Sequence, residues 1–117
     1  MDFLSRLFGS PLPALSVQDL NEKLKSGKCP LVIDVRQPDE YREGHIAGAK
    51  LIPLGELSQR VKELSKDKEI ICVCASGSRS HSATKMLVDA GYNAINMNGG
   101  MSTWQRAGLP VKKGSAA

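Results

Sequence analysis

The stretch Cys74-Ala75-Ser76-Gly77-Ser78-Arg79 holds the residue types and spacing that could do chemistry in this chain. Cys74 closes the apolar run Glu69-Ile70-Ile71-Cys72-Val73-Cys74, and a helical stripe follows the turn. A cysteine reacts as its thiolate. A helix amino terminus, whose N–H groups no preceding turn satisfies, lowers a thiol's pKa and attracts anions. Gly77 permits positive φ, and Ala75, Ser76 and Ser78 are small enough for several N–H groups to converge on one point. Arg79 adds a permanent, forked cation suited to an oxyanion. These residues predict a nucleophilic thiolate in an anion-binding cradle, open to either a phosphoryl group or a sulfur bearing charge.

Elements that can position such a loop are legible on both sides of it. Ser16 with Asp19 resembles a capping box, Val17, Leu20 and Leu24 share a helical face, and Gly27 is a stop, so the first helix is predicted over 17–26. Leu31-Val32-Ile33-Asp34-Val35 reads as a buried strand that delivers Asp34 and Arg36 to a loop. Pro38 opens a short helix through Arg42, and Ala49 to Ile52 forms a short strand closed by Pro53. Leu57, Val61 and Leu64 repeat at helical spacing. After the cysteine loop, Ala83, Met86, Leu87 and Ala90 form an apolar stripe that Gly91 terminates. Asn93 to Met97 is a last strand, and Gly99-Gly100 precedes a short helix carrying Trp104. Strands alternating with helices predict an α/β fold with a mostly parallel sheet, helices on both faces, and the site at the carboxyl ends of the strands.

A chain of 117 residues with 41% hydrophobic and 24% charged residues is one globular domain by size and composition. The expected division is an amino-terminal arm over 1–14, a domain over 15–111 and a polar tail over 112–117. The arm includes a small amphipathic stretch of Phe3, Leu4, Leu7 and Phe8 ahead of Pro11 and Pro13. The net charge is +4, but the bases are interleaved with acids and aromatics are only 4%, which speaks against nucleic-acid binding. No apolar run approaches a membrane span, and the amino terminus lacks the basic region of a signal peptide, so the expected compartment is the cytoplasm. Three cysteines without a secretory signal argue for a working thiol rather than a disulfide framework. Cys72 reads as core, and Cys29 receives no role. His45 and His81 lack metal-ligand spacing and are read as a structural hydrogen-bonding residue and a solvent-facing or capping one. Trp104 reads as core or pocket rim.

The loop from Cys74 to Arg79, followed by Ser80, resembles the active loop of the rhodanese family, in which six residues run from the nucleophilic cysteine as C-x-x-G-x-R. Phosphatases that share the fold use a loop one residue longer. The resemblance extends from about Leu15 to Pro110. It takes in Asp34-Val35-Arg36, Glu40-Tyr41, Gly44-His45-Ile46-Ala47-Gly48-Ala49 and Ile52-Pro53-Leu54, then Gly99-Gly100, Trp104 and Gly108-Leu109-Pro110. It implies a rhodanese-like domain built on a five-stranded sheet.

By that resemblance the implied activity is sulfur transfer by double displacement. Cys74 takes sulfane sulfur from thiosulfate or a persulfide donor and passes it to cyanide or a thiol acceptor, with thioredoxin or a sulfur-carrier protein among the candidate partners. Ala75, Ser76, Gly77, Ser78 and Arg79 bind the anion. Asp34 and Arg36, read as a structural ion pair beneath the loop, support it together with Ser80, a source of turn or cap hydroxyls. No metal or organic cofactor is called for. Ala75 and Ser76 leave Arg79 as the loop's one formal charge, which puts a strong preference for a dianionic donor in doubt. The other open readings are a non-catalytic interaction or sulfur-carrier module, and a relation to phosphatases or arsenate reductases.

Overall fold

The structure, a computed structural model, describes residues 11–28 and 30–117. Cys29 and the amphipathic part of the expected arm lie outside the described residues. Five strands form one sheet in the order β1-β5-β4-β2-β3, with every pairing parallel. The strands are β1 (Ala14–Leu15), β2 (Leu31–Asp34), β3 (Lys50–Leu51), β4 (Glu69–Val73) and β5 (Asn93–Met97). The helices are α1 (Val17–Lys25), α2 (Pro38–Glu43), α3 (Leu57–Arg60), α4 (Ser78–Asp89) and α5 (Gly100–Arg106).

Parallel strands need crossover connections, and those crossovers bury both faces of the sheet. Alternation along β4 divides its side chains between two cores. Ile71 and Val73 join Val17 and Leu20 of α1 and Met101 and Trp104 of α5. Ile70, Cys72 and Cys74 face the other way, against Leu57 of α3 and Ala83 and Leu87 of α4. The period of two therefore delivers Cys74 to the side of the sheet that α4 covers.

Several boundaries differ from the sequence-based expectation. The Ser16 hydroxyl accepts from the Asp19 N–H at 3.0 Å as anticipated, but the helix closes at Lys25 with Ser26 as its cap. Ala14, assigned to the arm, is half of β1, and the Asn96 N–H donates to the Pro13 carbonyl at 2.9 Å. A two-residue edge strand is too short to show a period, and β5 supplies its pairing. The polar tail is also tied down at its start, for Lys112 exchanges two backbone hydrogen bonds with His45 and the Gly114 N–H donates to the Arg42 carbonyl. The Leu57–Leu64 repeat is not one helix. Short 3₁₀ turns at Leu54–Glu56 and Val61–Glu63 flank α3, and this tighter winding still buries Leu57 and Leu64.

Candidate active site

Cys74 stands one residue past the end of β4, a central strand, and four residues ahead of α4. It is fully buried as a residue, yet its sulfur has polar company. The Gly77 N–H donates to Cys74 Sγ at 3.1 Å and the Ser80 hydroxyl at 3.3 Å. Burial alone pushes this thiol up. The Ser80 hydroxyl and the backbone N–H groups of Ser80, Gly77 and Ser76 outweigh it, and hold the Cys74 pKa below that of an ordinary thiol. The sulfur thus occupies the amino-terminal end of a twelve-residue helix, where backbone dipoles favour negative charge.

The nest is shaped by contacts distant in sequence. Gly77 has φ +102°, the left-handed conformation in which the chain turns from the loop into α4. The amino terminus of α5 is packed against the loop, where the Met101 N–H donates to the Cys74 carbonyl at 2.8 Å and the Ser102 N–H to the Ala75 carbonyl at 2.9 Å. In a trans peptide the N–H points opposite the C=O. Drawing the Ala75 carbonyl toward α5 therefore turns the Ser76 N–H toward the sulfur. The approach leaves no room for a side chain, since a Cβ on Gly100 would lie 2.5 Å from the Cys74 and Ala75 carbonyl oxygens. Asn96, at the end of β5, donates from Nδ2 to the Gly77 carbonyl at 3.3 Å.

Arg79 does not project freely into the cradle. Its two terminal nitrogens grip both carboxylate oxygens of Glu40 on α2, at 2.8 and 2.9 Å. The Arg79 hydrogen bonds are the main reason the Glu40 carboxyl is held down to about 2, and Glu40 in turn raises Arg79 above its ordinary value. Glu40 also accepts from the Gln37 N–H at 3.0 Å, the capping box that starts α2. The same carboxylate thus begins a helix and ties it to the cysteine loop.

Asp34 and Arg36 form the ion pair expected of them. Arg36 is fork-bonded to Asp34 through Nε and a terminal nitrogen at 2.7–3.1 Å, and it also donates to the Gly44 carbonyl at 2.8 Å. Both side chains are buried. Beside them a cavity of about 160 Å³ opens against the loop, bordered by Arg36, Glu40, Glu43, Ala75, Ser102 and Gln105 among others. Ser76 and Ser78 are exposed at the loop's outer edge, with hydroxyls 3.3 Å apart.

The remaining candidates fall into structural places. Cys72 is wholly buried, and burial is the main cause that pushes its thiol up to about 11. His45 is buried with its ring stacked on Tyr41 at 3.7 Å, while His81 is exposed in the first turn of α4. Trp104 is core, and its indole N–H donates to the Pro110 carbonyl. Glu40 and the donors from α5 were not identified as site residues from sequence. The signal for Glu40 was its spacing three residues after Gln37, a cap pattern that says nothing of Arg79.

The family model described as "Rhodanese-like domain" matches residues 16–107. A sulfurtransferase of Allochromatium vinosum is 34% identical over 95 residues, covering 80% of this chain and 89% of that protein. An HTH-type transcriptional regulator of Mycobacterium tuberculosis is 37% identical over 111 residues, covering 93% of this chain. The chain spans about half of that regulator's length, 49%. Among solved structures, a rhodanese-related protein from Thermoplasma volcanium superposes with a TM-score of 0.80 at 36% identity, covering 86% of this chain and 97% of that one.

Proposed function

This chain belongs to the rhodanese-like domain family, and from that premise we infer that it is a sulfurtransferase in which Cys74 carries sulfur as a persulfide. The observation that carries the reading is the thiol at the amino terminus of α4, hydrogen-bonded by Gly77 and Ser80 and lowered in pKa in spite of its burial.

In the first half of the reaction the Cys74 thiolate attacks the sulfane sulfur of a donor such as thiosulfate or a persulfide. A bond forms between Sγ and that sulfur, the donor's S–S bond breaks, and the electron pair leaves on sulfite or on the donor's thiolate. The N–H groups that now face Sγ stabilise the negative charge carried by the new outer sulfur, while Arg79, its fork filled by Glu40, ties the loop to α2. Cyanide, a small thiol, thioredoxin or a sulfur-carrier protein then attacks the outer sulfur and restores the Cys74 thiolate. Asp34 and Arg36 hold the floor of the loop, and Ser80 keeps the sulfur in its thiolate form. Such chemistry needs reduced thiols, which fits work in the cytoplasm. Among the described residues no helix is long and apolar enough to cross a membrane.

Intact mass of the reduced protein, before and after a sulfur donor and without added reductant, tests the reading. The expected result is a gain of one sulfur that cyanide reverses and that Cys74→Ser abolishes. No gain with thiosulfate or with a persulfide would sink it and leave an interaction module in its place.

A further inference from the structure

Resting on the sulfur-transfer reading, we propose that the donor for Cys74 is a small thiol persulfide of low or positive charge, and that Glu40 and Glu43 set this preference against dianions such as thiosulfate.

Arg79 is the one formal charge in the loop, and its fork is filled by the Glu40 carboxylate with two hydrogen bonds. An anionic donor that used Arg79 would have to displace a carboxylate whose pKa is held near 2. The cavity beside Ala75 carries the same bias. Its charged borders are Arg36, Glu40 and Glu43. Arg36 is matched by Asp34 and Glu40 by Arg79, whereas Glu43 makes no ion pair among the described residues. The cavity adjoins the loop at Ala75, the residue next to Cys74, and its charged borders have a net formal charge of −1; in this proposal it receives the leaving part of the donor. Thiosulfate attack by a thiolate gathers three negative charges at this spot. In the protonated form that a thiolate attacks, a persulfide R–S–SH brings no negative charge beyond the thiolate's, and an ammonium group on R is attracted to Glu43. Backbone N–H groups remain to serve the transferred sulfur in either case, so the carboxylates act on the rest of the donor. For the persulfide the step balances as Cys–S⁻ plus R–S–SH giving Cys–S–SH plus R–S⁻, with no further oxidant or reductant.

Ionic strength separates attraction from repulsion, because salt screens both. The rate of sulfur gain at Cys74 is measured by rapid-quench intact mass with thiosulfate and with the persulfide of cysteamine, at low and high salt. In the native protein the cysteamine persulfide is expected to load on the order of tenfold faster at low salt, as one or two extra like charges in a partly buried site predict. Added salt is expected to raise the thiosulfate rate and lower the other. Glu43→Gln, an exposed change, is expected to raise the thiosulfate rate several-fold, and Glu40→Gln, which loosens the hold on Arg79, to raise it further. Thiosulfate loading as fast as the persulfide, falling with salt and unmoved by both variants, would overturn this proposal and leave sulfur transfer standing. Loading by neither donor would overturn the sulfur-transfer reading and this proposal with it.

Discussion

Cys72 and Cys74 stand two residues apart, on the same face of the sheet and in the same core, and both are buried completely. Their thiols nonetheless depart from the ordinary value in opposite directions. Cys72, in the body of β4, meets apolar neighbours and the hydroxyl of Thr84, and desolvation prevails, pushing it up to about 11. Cys74, just past the strand's end, is also pushed up by desolvation, but the Ser80 hydroxyl and converging backbone N–H groups prevail over it. Burial therefore does not decide reactivity in this molecule. What decides it is whether backbone donors are free to turn toward the sulfur, and inside a parallel ladder they are not, because each is committed to a neighbouring strand. A strand's carboxyl end is where that commitment lapses.

Removing the donors is the most severe way to break the contrast. Gly100→Ala places a Cβ against the Cys74 and Ala75 carbonyls, at a φ of +60° that a side chain resists. With α5 displaced, the Ser76 and Gly77 N–H groups lose their aim. Sulfur loading should fall on the order of 100-fold, the usual consequence of losing one preorganised donor to a charged centre. Circular dichroism would show whether the sheet persists, and an unchanged loading rate in a folded variant would refute the account of how α5 shapes the nest.

The pH dependence sharpens the same comparison. Thiolate alkylation at Cys74, read by mass, should rise with pH through a midpoint below 9, whereas Cys72 should stay silent until near 11. Ser80→Ala removes one hydrogen bond to a charged sulfur, worth about 1.4 kcal/mol, so the Cys74 midpoint should move up by about one unit and the rate at pH 7 fall roughly tenfold. A midpoint that does not move would assign the lowering to the backbone alone. The smallest effect belongs to Cys72→Ala. A buried thiol that stays protonated takes no part in the transfer, and loading should change by no more than about twofold. A larger loss would mean that Cys72 exchanges sulfur with its neighbour.

Acid stability offers a check on the second half of the site. Glu40 is lowered from 4.5 to about 2 by its bonds to Arg79, so its stabilising contribution is present above 4.5 and disappears as the pH falls toward 2. Glu40→Gln should flatten the acid unfolding curve across that interval.

The residues themselves determined a good deal. A cysteine ending an apolar strand, a glycine that can take positive φ, small residues between and a helix behind specify a thiolate nest through interactions that run over six residues. Those interactions are local, so spacing reveals them. Hydrophobic alternation likewise made the β4 strand and the α4 stripe legible, because a period of two or 3.6 is written into the chain wherever one face is buried. The tertiary structure alone decided which partners complete the site. Glu40 meets Arg79 across 39 residues, and α5 turns the loop's N–H groups inward from more than 25 positions away in the chain. Neither leaves a periodic trace. A carboxylate three residues into a helix reads as a cap, and a Gly-Gly pair reads as a turn, until folding sets each against the cysteine loop, and only there do charge and close approach acquire a chemical meaning.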